Sequence, residues 1–241
     1  MESFNKILKN RHKLVFIDFE GTQFSHEIIA IGAVKVYCDK NGKISDNYET
    51  YKRYVKCVGP IGKIVSSMTT ISNDTLKENG ITFEEMLNEF QTFIDGKFDD
   101  CAFLAFGNND IRMIIESIKI SRPSNESIGI SICKNAIDFL AFISQYIKDE
   151  NGNNYSLVNY LKLYSIEPYG QSHDPLNDAI DLMNLYKAFM GDINIKKQEY
   201  IKVLKKIKSL PQPVKRIVNR LINNETITPN DFDIEITKYL E

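Results

Sequence analysis

Asp18 and Glu20 stand two residues apart at the end of the apolar run Leu14-Val15-Phe16-Ile17-Asp18-Phe19-Glu20. Successive side chains alternate faces along an extended chain, so both carboxylates point to one side. Two like charges at the end of a buried strand raise each other's pKa and oppose folding unless something positive lies between them. A divalent cation is the simplest occupant, and oxygen-only ligands favour Mg2+ or Mn2+. By itself the pair fits equally an edge strand with two solvated acids, so its meaning depends on what the rest of the chain brings to it.

Asp110 is the third informative acid. It follows the apolar run Ala102–Phe106, expected to be a strand, and open α/β sheets bind ligands beyond the C-terminal ends of their strands. Gly107 permits a tight turn out of that strand. Read alone, Asp110 also fits a simple helix cap.

His173-Asp174-Pro175-Leu176-Asn177-Asp178 is the sharpest signal after the opening pair. Pro175 suits the first helical position, which makes Asp174 the N-cap and places His173 at N′ and Asp178 at N4. Those two positions touch in a hydrophobic staple. Here they hold an imidazole and a carboxylate, an exchange that gives up apolar contact and points to chemistry.

Four carboxylates from three segments and one histidine make a sensible hydrolytic site. Two divalent cations about 3.5–4 Å apart clamp the attacking and leaving oxygens of a phosphodiester. A histidine with a pKa near neutrality takes the proton of the attacking water. Phosphoryl transfer asks for little more than positioning and charge neutralisation.

The elements that must position these groups follow from periodicity. Leu14–Phe19, Ile28–Tyr37 and part of Tyr48–Val55 read as three strands, and Asp39-Lys40-Asn41-Gly42 as a turn, so an antiparallel meander is expected. Phe83, Met86, Leu87, Phe90, Phe93 and Ile94 recur at helical spacing. The fourth strand, Ala102–Phe106, leads into a helix through Ile111, Ile114, Ile115 and Ile118. A fifth strand is expected between Ile128 and Ile137, and helices through Leu140, Ile143 and Ile147, through Leu157, Tyr160 and Leu161, and from Pro175 onward. Three strands followed by alternating strand and helix argue a mixed sheet with helices on its faces.

A boundary falls near Gly191-Asp192, dividing residues 1–191 from a helical extension at 192–241. In the extension Tyr200, Val203, Leu204 and Ile207 form one amphipathic helix. Pro211 and Pro213 interrupt it, and Val214, Ile217, Val218 and Leu221 form a second. Thr228–Asp231 reads as the cap of a third. Between Ile195 and Asn223 nine Lys/Arg face one acid, Glu199, a local balance of +8 against a formal total of -2. Such a segment suits a polyanion partner, an intramolecular docking surface or a solvated helix face.

Hydrophobic content of 43% and charged content of 26% are those of an ordinary globular chain. Cys38, Cys57, Cys101 and Cys133 are scattered, which argues against a zinc site. The polar, basic start lacks a secretory h-region and no apolar run reaches membrane-spanning length, so a cytoplasmic protein with no membrane partner is expected.

Asp18-x-Glu20, Gly107-x-x-Asp110 and His173 with Asp178 closely resemble, in order and spacing, the DEDDh family of 3′→5′ exonucleases, which includes ribonuclease T. The resemblance spans roughly Lys13 to Met190, and Ile71-Ser72 matches the family's short motif after its third strand. It implies a ribonuclease H-like α/β fold, a five-stranded mixed sheet flanked by helices. It further implies that Asp18 bridges two Mg2+ or Mn2+ ions, that Glu20 and Asp178 complete the tighter site, and that Asp110 holds the second ion largely through water. His173 is then the general base. Nucleoside 5′-monophosphates leave the 3′ end of single-stranded RNA or DNA.

Many members carry Thr-Thr-Gly after the glutamate where this chain has Gly21-Thr22-Gln23, so Gly21 and Thr22 are the residues expected to seat the terminal nucleotide. Phe106 is either core or a base-stacking group, and burial statistics favour core. The rival readings are a non-catalytic nucleic-acid or protein interaction module on the same fold, and a small-phosphate hydrolase. Retention of all five site residues speaks against the first.

Overall fold

The central strand pair explains the rest of the architecture. β1 (Lys13–Gly21) and β2 (Ile28–Cys38) are buried over nearly their whole length, as expected of β-branched and aromatic runs covered on both faces. The computed structural model describes residues 2–9, 11–206 and 209–240. β3 (Ile44–Val55) closes the meander, and β4 (Gly80–Ile81), β5 (Cys101–Ala105) and β6 (Ala136–Asp138) complete a sheet in the order β4-β3-β2-β1-β5-β6. β1–β2 and β2–β3 are antiparallel, whereas β1–β5, β5–β6 and β3–β4 are parallel.

The helices are α1 (Glu2–Leu8), α2 (Lys63–Thr69), α3 (Asn73–Asn79), α4 (Phe83–Phe93), α5 (Asn109–Ser121), α6 (Glu126–Lys134), α7 (Phe139–Ile143), α8 (Leu157–Leu163), α9 (Pro175–Gly191), α10 (Ile193–Lys206), α11 (Gln212–Ile222) and α12 (Pro229–Leu240). Among the described residues no helix is long and apolar enough to cross a membrane. All four cysteines are free.

Alternation along β1 sorts its side chains. Val15, Ile17 and Phe19 join Phe83, Phe90, Phe103, Ile114 and Ile132 in one core. Phe16, of the opposite parity, meets the ring of Tyr186 on α9 at 5.4 Å. Asp18 and Glu20 share the parity of Phe16, so the geometry of an extended chain sends both acids to the α9 side.

Three departures from the sequence reading have local causes. The sheet has six strands, because Gly80 and Ile81 pair with Tyr54 and Val55 as a short edge. The expected strand between Ile128 and Ile137 is mostly α6, with only Ala136–Asp138 extended. Ile128 and Ile132 are one helical turn apart and both buried, and a Cβ at Gly129 would lie 2.9 Å from Ile118 Cδ1, so this helix packs closely on α5. The polar N-terminus forms α1 because Phe4 and Leu8, at i and i+4, are buried, with Phe4 4.6 Å from the ring of Phe142.

The chain divides into two compact units, Met1–Phe142 with Ser156–Gly191, and Ile143–Tyr155 with Asp192–Glu241. In the second unit Tyr146 and Tyr200 pack at 5.5 Å. Arg216 pairs with Glu235 at 3.1 Å, and Arg220 with both Glu225 and Asp231, which joins α11 to α12. Thr228 Oγ1 accepts the Asp231 N–H, and the Asp231 carboxylate accepts the Thr228 N–H. Ile207, expected to continue the first helix of this unit, lies outside the described residues.

Candidate active site

Glu20 at the end of β1 and the His173–Asp178 segment opening α9 converge. One ligand atom from each of Glu20, His173 and Asp178 lies within 4.8 Å of the others. His173 Nδ1 is 3.8 Å from Glu20 Oε1. Asp18 sits beneath them, two residues back on the same face of β1.

A single glycine makes this approach feasible. Asp18 is paired across the ladder with Gly32 on β2. A Cβ at Gly32 would lie 2.0 Å from the Pro175 carbonyl carbon and 2.2 Å from the Leu176 nitrogen. The first turn of α9 therefore rests directly on the sheet backbone beside Asp18, a contact that no other residue type permits without displacement.

Asp174 caps that turn as the spacing predicts, with Oδ1 accepting the Leu176 N–H at 3.1 Å, while its other oxygen pairs with Lys52 of β3. The expected staple is realised in polar form, because the His173 backbone N–H donates to Asp178 Oδ2 at 3.1 Å. The loop before it is tethered to α9 twice more, by Tyr169 N–H to Asp181 and by Asn177 Nδ2 to the Gln171 carbonyl. His173 itself adopts a left-handed φ of 63°. Its backbone is fixed, and its imidazole stays 46% exposed.

Asp110 reaches the site from the other flank. The β1–β5 ladder ends at Phe16↔Leu104, so β1 runs on without a neighbour on that side. The Phe19 N–H, otherwise orphaned, donates to Asp110 Oδ1 at 3.0 Å. Gly107, at a φ of 108°, provides the turn that starts α5 there.

The electrostatics are those of crowded, desolvated acids. Burial, then Asp110, Asp178, Glu20 and Asp174, hold Asp18 well above the usual carboxylate range. Glu20 is pushed up to about 8 by burial and by Asp178, Asp110 and Asp174. Burial lifts Asp110 to about 7 despite its bond from Phe19. Asp178 is raised by burial, with the His173 N–H opposing. Besides the His173 imidazole near Glu20, Lys52, bound to Asp174, is the one lysine or arginine paired with an acid of this cluster among the described residues. A set of oxygen donors with so little compensating charge fits divalent cations.

Thr22 is buried, and its hydroxyl is engaged within the β1–β2 connection, 2.7 Å from Ser25 Oγ and accepting the Glu27 N–H at 3.0 Å. Gly21 lies under the Met113 side chain. Phe106 is half-buried, edge-on to Tyr160 at 6.0 Å. Ser72 of the Ile71-Ser72 pair caps α3 through the Thr75 N–H, and Ile71 is buried.

Sequence reasoning passed over Phe24, which stands 71% exposed four residues after Glu20. Ile64 and Met68 on α2, also exposed, belong to the segment that Gln23 binds through Ile61 O and the Ile64 N–H. A phenylalanine in a polar connection was the available signal for Phe24. For Gly32 it was a glycine interrupting a buried strand.

A mixed sheet with an acid cluster at the end of its first strand defines a ribonuclease H-like nuclease fold. Residues 15–186 match the RNase_T exonuclease family, and the chain belongs to that family of nucleases. No curated protein matches the chain. In fold it is similar to a full-length 3′-exonuclease, at 17% identity and a TM-score of 0.59, over 75% of this chain and 61% of that one. It is also similar to the nuclease domain of 3′hExo, a DEDDh family member solved with bound rAMP, at 18% identity and 0.60, over 75% and 92% of the two chains. A third likeness is to E. coli ExoI in a complex with single-stranded DNA, at 15% identity and 0.57, over 81% and 44%. The chain spans about three fifths of the length of the first of these and under half of the last.

Proposed function

We propose that this nuclease is a 3′→5′ exonuclease that hydrolyses single-stranded RNA or DNA to nucleoside 5′-monophosphates with two Mg2+ or Mn2+ ions. The convergence of Glu20, His173 and Asp178 beside Asp18 carries this reading. Asp18, Glu20 and Asp178 would hold one ion, and Asp18 with Asp110 the other. Bound there, the cations supply charge neutralisation at the phosphodiester and a more acidic attacking water.

The chain's own residues supply the remainder. The exposed His173 imidazole accepts the proton of the water that attacks phosphorus, while the bond to the 3′-oxygen breaks and that oxygen regains a proton from solvent. The left-handed backbone and the Asp178 bond hold the ring over Glu20 without fixing its outer nitrogen. Exposed Phe24, next to the Gln23 that binds Ile61 O and the Ile64 N–H, offers an apolar platform for the terminal base. Buried Thr22 acts on substrate only through the shape of its turn.

A 3′-labelled and a matched 5′-labelled oligonucleotide, each incubated with Mg2+ and with EDTA, test the reading. The expected result is immediate release of labelled mononucleotide from the first and a descending ladder from the second, both abolished by EDTA. Internal cuts, or release from the 5′ end, would overturn it.

A further inference from the structure

The second unit carries a basic cleft that the hydrolytic site does not use. It has a volume of about 240 Å³ and is lined by Lys148, Asp149, Gly152, Lys202, Val203 and Lys206. Lys202 and Lys206 are one helical turn apart on α10, so their side chains share a face. Lys206 Nζ donates to the carbonyl of Glu150 at 2.5 Å, which ties the segment 143–155 to α10 and fixes one wall. Lys202 is braced by Glu199 at 2.6 Å and remains 63% exposed. The one acid in the lining, Asp149, is turned into its own loop, where Oδ1 accepts the N–H groups of Asn151 at 2.9 Å and Asn153 at 2.7 Å. Exposed Lys197 and Lys205 extend the same charge along α10. The three ammonium groups outnumber the two acids beside them, Asp149 and Glu199, so the cavity keeps a net positive charge that suits an anion. The cation run continues beyond the cavity, which suits a polyanion rather than a single small ion.

We propose that this cleft is an accessory site for the phosphate backbone of single-stranded nucleic acid. The proposal rests on the nuclease reading for the identity of the polyanion, and its test is kept independent of turnover. Binding of fluorescein-labelled single strands of 2 to 20 nucleotides to the full chain is measured by anisotropy in EDTA across a salt series. The parent is compared with the triple variant Lys148→Gln, Lys202→Gln, Lys206→Gln and with the same three positions changed to Arg.

Each lost phosphate contact flattens the dependence of log Kd on log salt by about 0.7 on single strands, so three flatten it by about 2. The parent then loses about 20-fold more affinity than the Gln variant between 50 and 200 mM salt. The deficit of the Gln variant is expected to grow with oligomer length, and the Arg variant to restore the parent slope. Equal slopes for parent and Gln variant would overturn the proposal, as would a deficit of the same size at every length. Loss of the hydrolytic reading alone would leave these binding curves unchanged.

Discussion

Replacing Glu20 by glutamine should stabilise the metal-free protein, and the size of the effect follows from the crowding at the end of β1. Glu20 rises from an ordinary value of 4.5 to about 8 in the fold, through burial and through Asp178, Asp110 and Asp174. A carboxyl whose folded pKa is raised binds its proton more tightly in the native state. Its contribution is therefore fully favourable below about pH 4.5 and is lost as pH climbs through 8. At pH 7 the unfolded chain carries this group ionised, and folding must protonate it across about 2.5 pH units, a cost of about 3 kcal/mol. Glutamine keeps the shape without the charge. In EDTA at pH 7 the Glu20→Gln protein should gain about 2–3 kcal/mol, or about 5–10 °C in Tm for a chain of this size. Near pH 4 the gain should vanish. Saturating Mg2+ should reverse the order, because the parent gains a ligand-binding term that the variant lacks. Thermal melts of both proteins at pH 4 and pH 7, with EDTA and with Mg2+, read all of this. An unchanged or lower apo Tm at pH 7, or an equal gain at pH 4, would refute the idea that these acids are held in a site built for cations.

Gly32→Ala should displace the first turn of α9 from the sheet, costing about 1–3 kcal/mol and at least tenfold in activity, read by melts and oligonucleotide turnover; an alanine with full activity would mean the contact is slack. Asp110→Ala leaves the Phe19 N–H without its partner and should lower stability by about 1–3 kcal/mol, whereas Asp110→Asn keeps the acceptor and should recover most of that in a chemical-denaturation series. His173→Ala should lower kcat by about 10²–10⁴-fold, with Mg2+ affinity changed far less, measured by turnover and by calorimetric Mg2+ titration. Phe24→Ala should raise KM for oligonucleotides by an amount equivalent to about 1–3 kcal/mol and leave the apo Tm in place, because its ring is exposed.

Much of the candidate site was legible in the chain because its signals are local. The two-residue spacing of Asp18 and Glu20 forces a shared face on any strand, and Pro175 after Asp174 forces a helix start with His173 and Asp178 at touching positions. Helices with a full apolar stripe, such as α4, follow from period alone. Short or mixed segments did not. Ile128–Ile132 is rich in β-branched residues, yet it is helical because Gly129 lets it lie tight on α5. α1 owes its existence to an aromatic pocket formed by residues 135 or more positions away in sequence.

The sequence by itself determined which groups are the candidates for the chemistry, and that the first two acids project to one side of β1. Only the tertiary structure decided that α9 descends onto β2 at Gly32, that Asp110 satisfies Phe19 where β1 outruns β5, and that Lys52 reaches Asp174. The physical reason is that facing and capping are set by neighbours within a turn or two. How near two elements approach is set by the smallest residue between them and by which backbone groups would otherwise go unpaired, and both depend on contacts far apart in the chain.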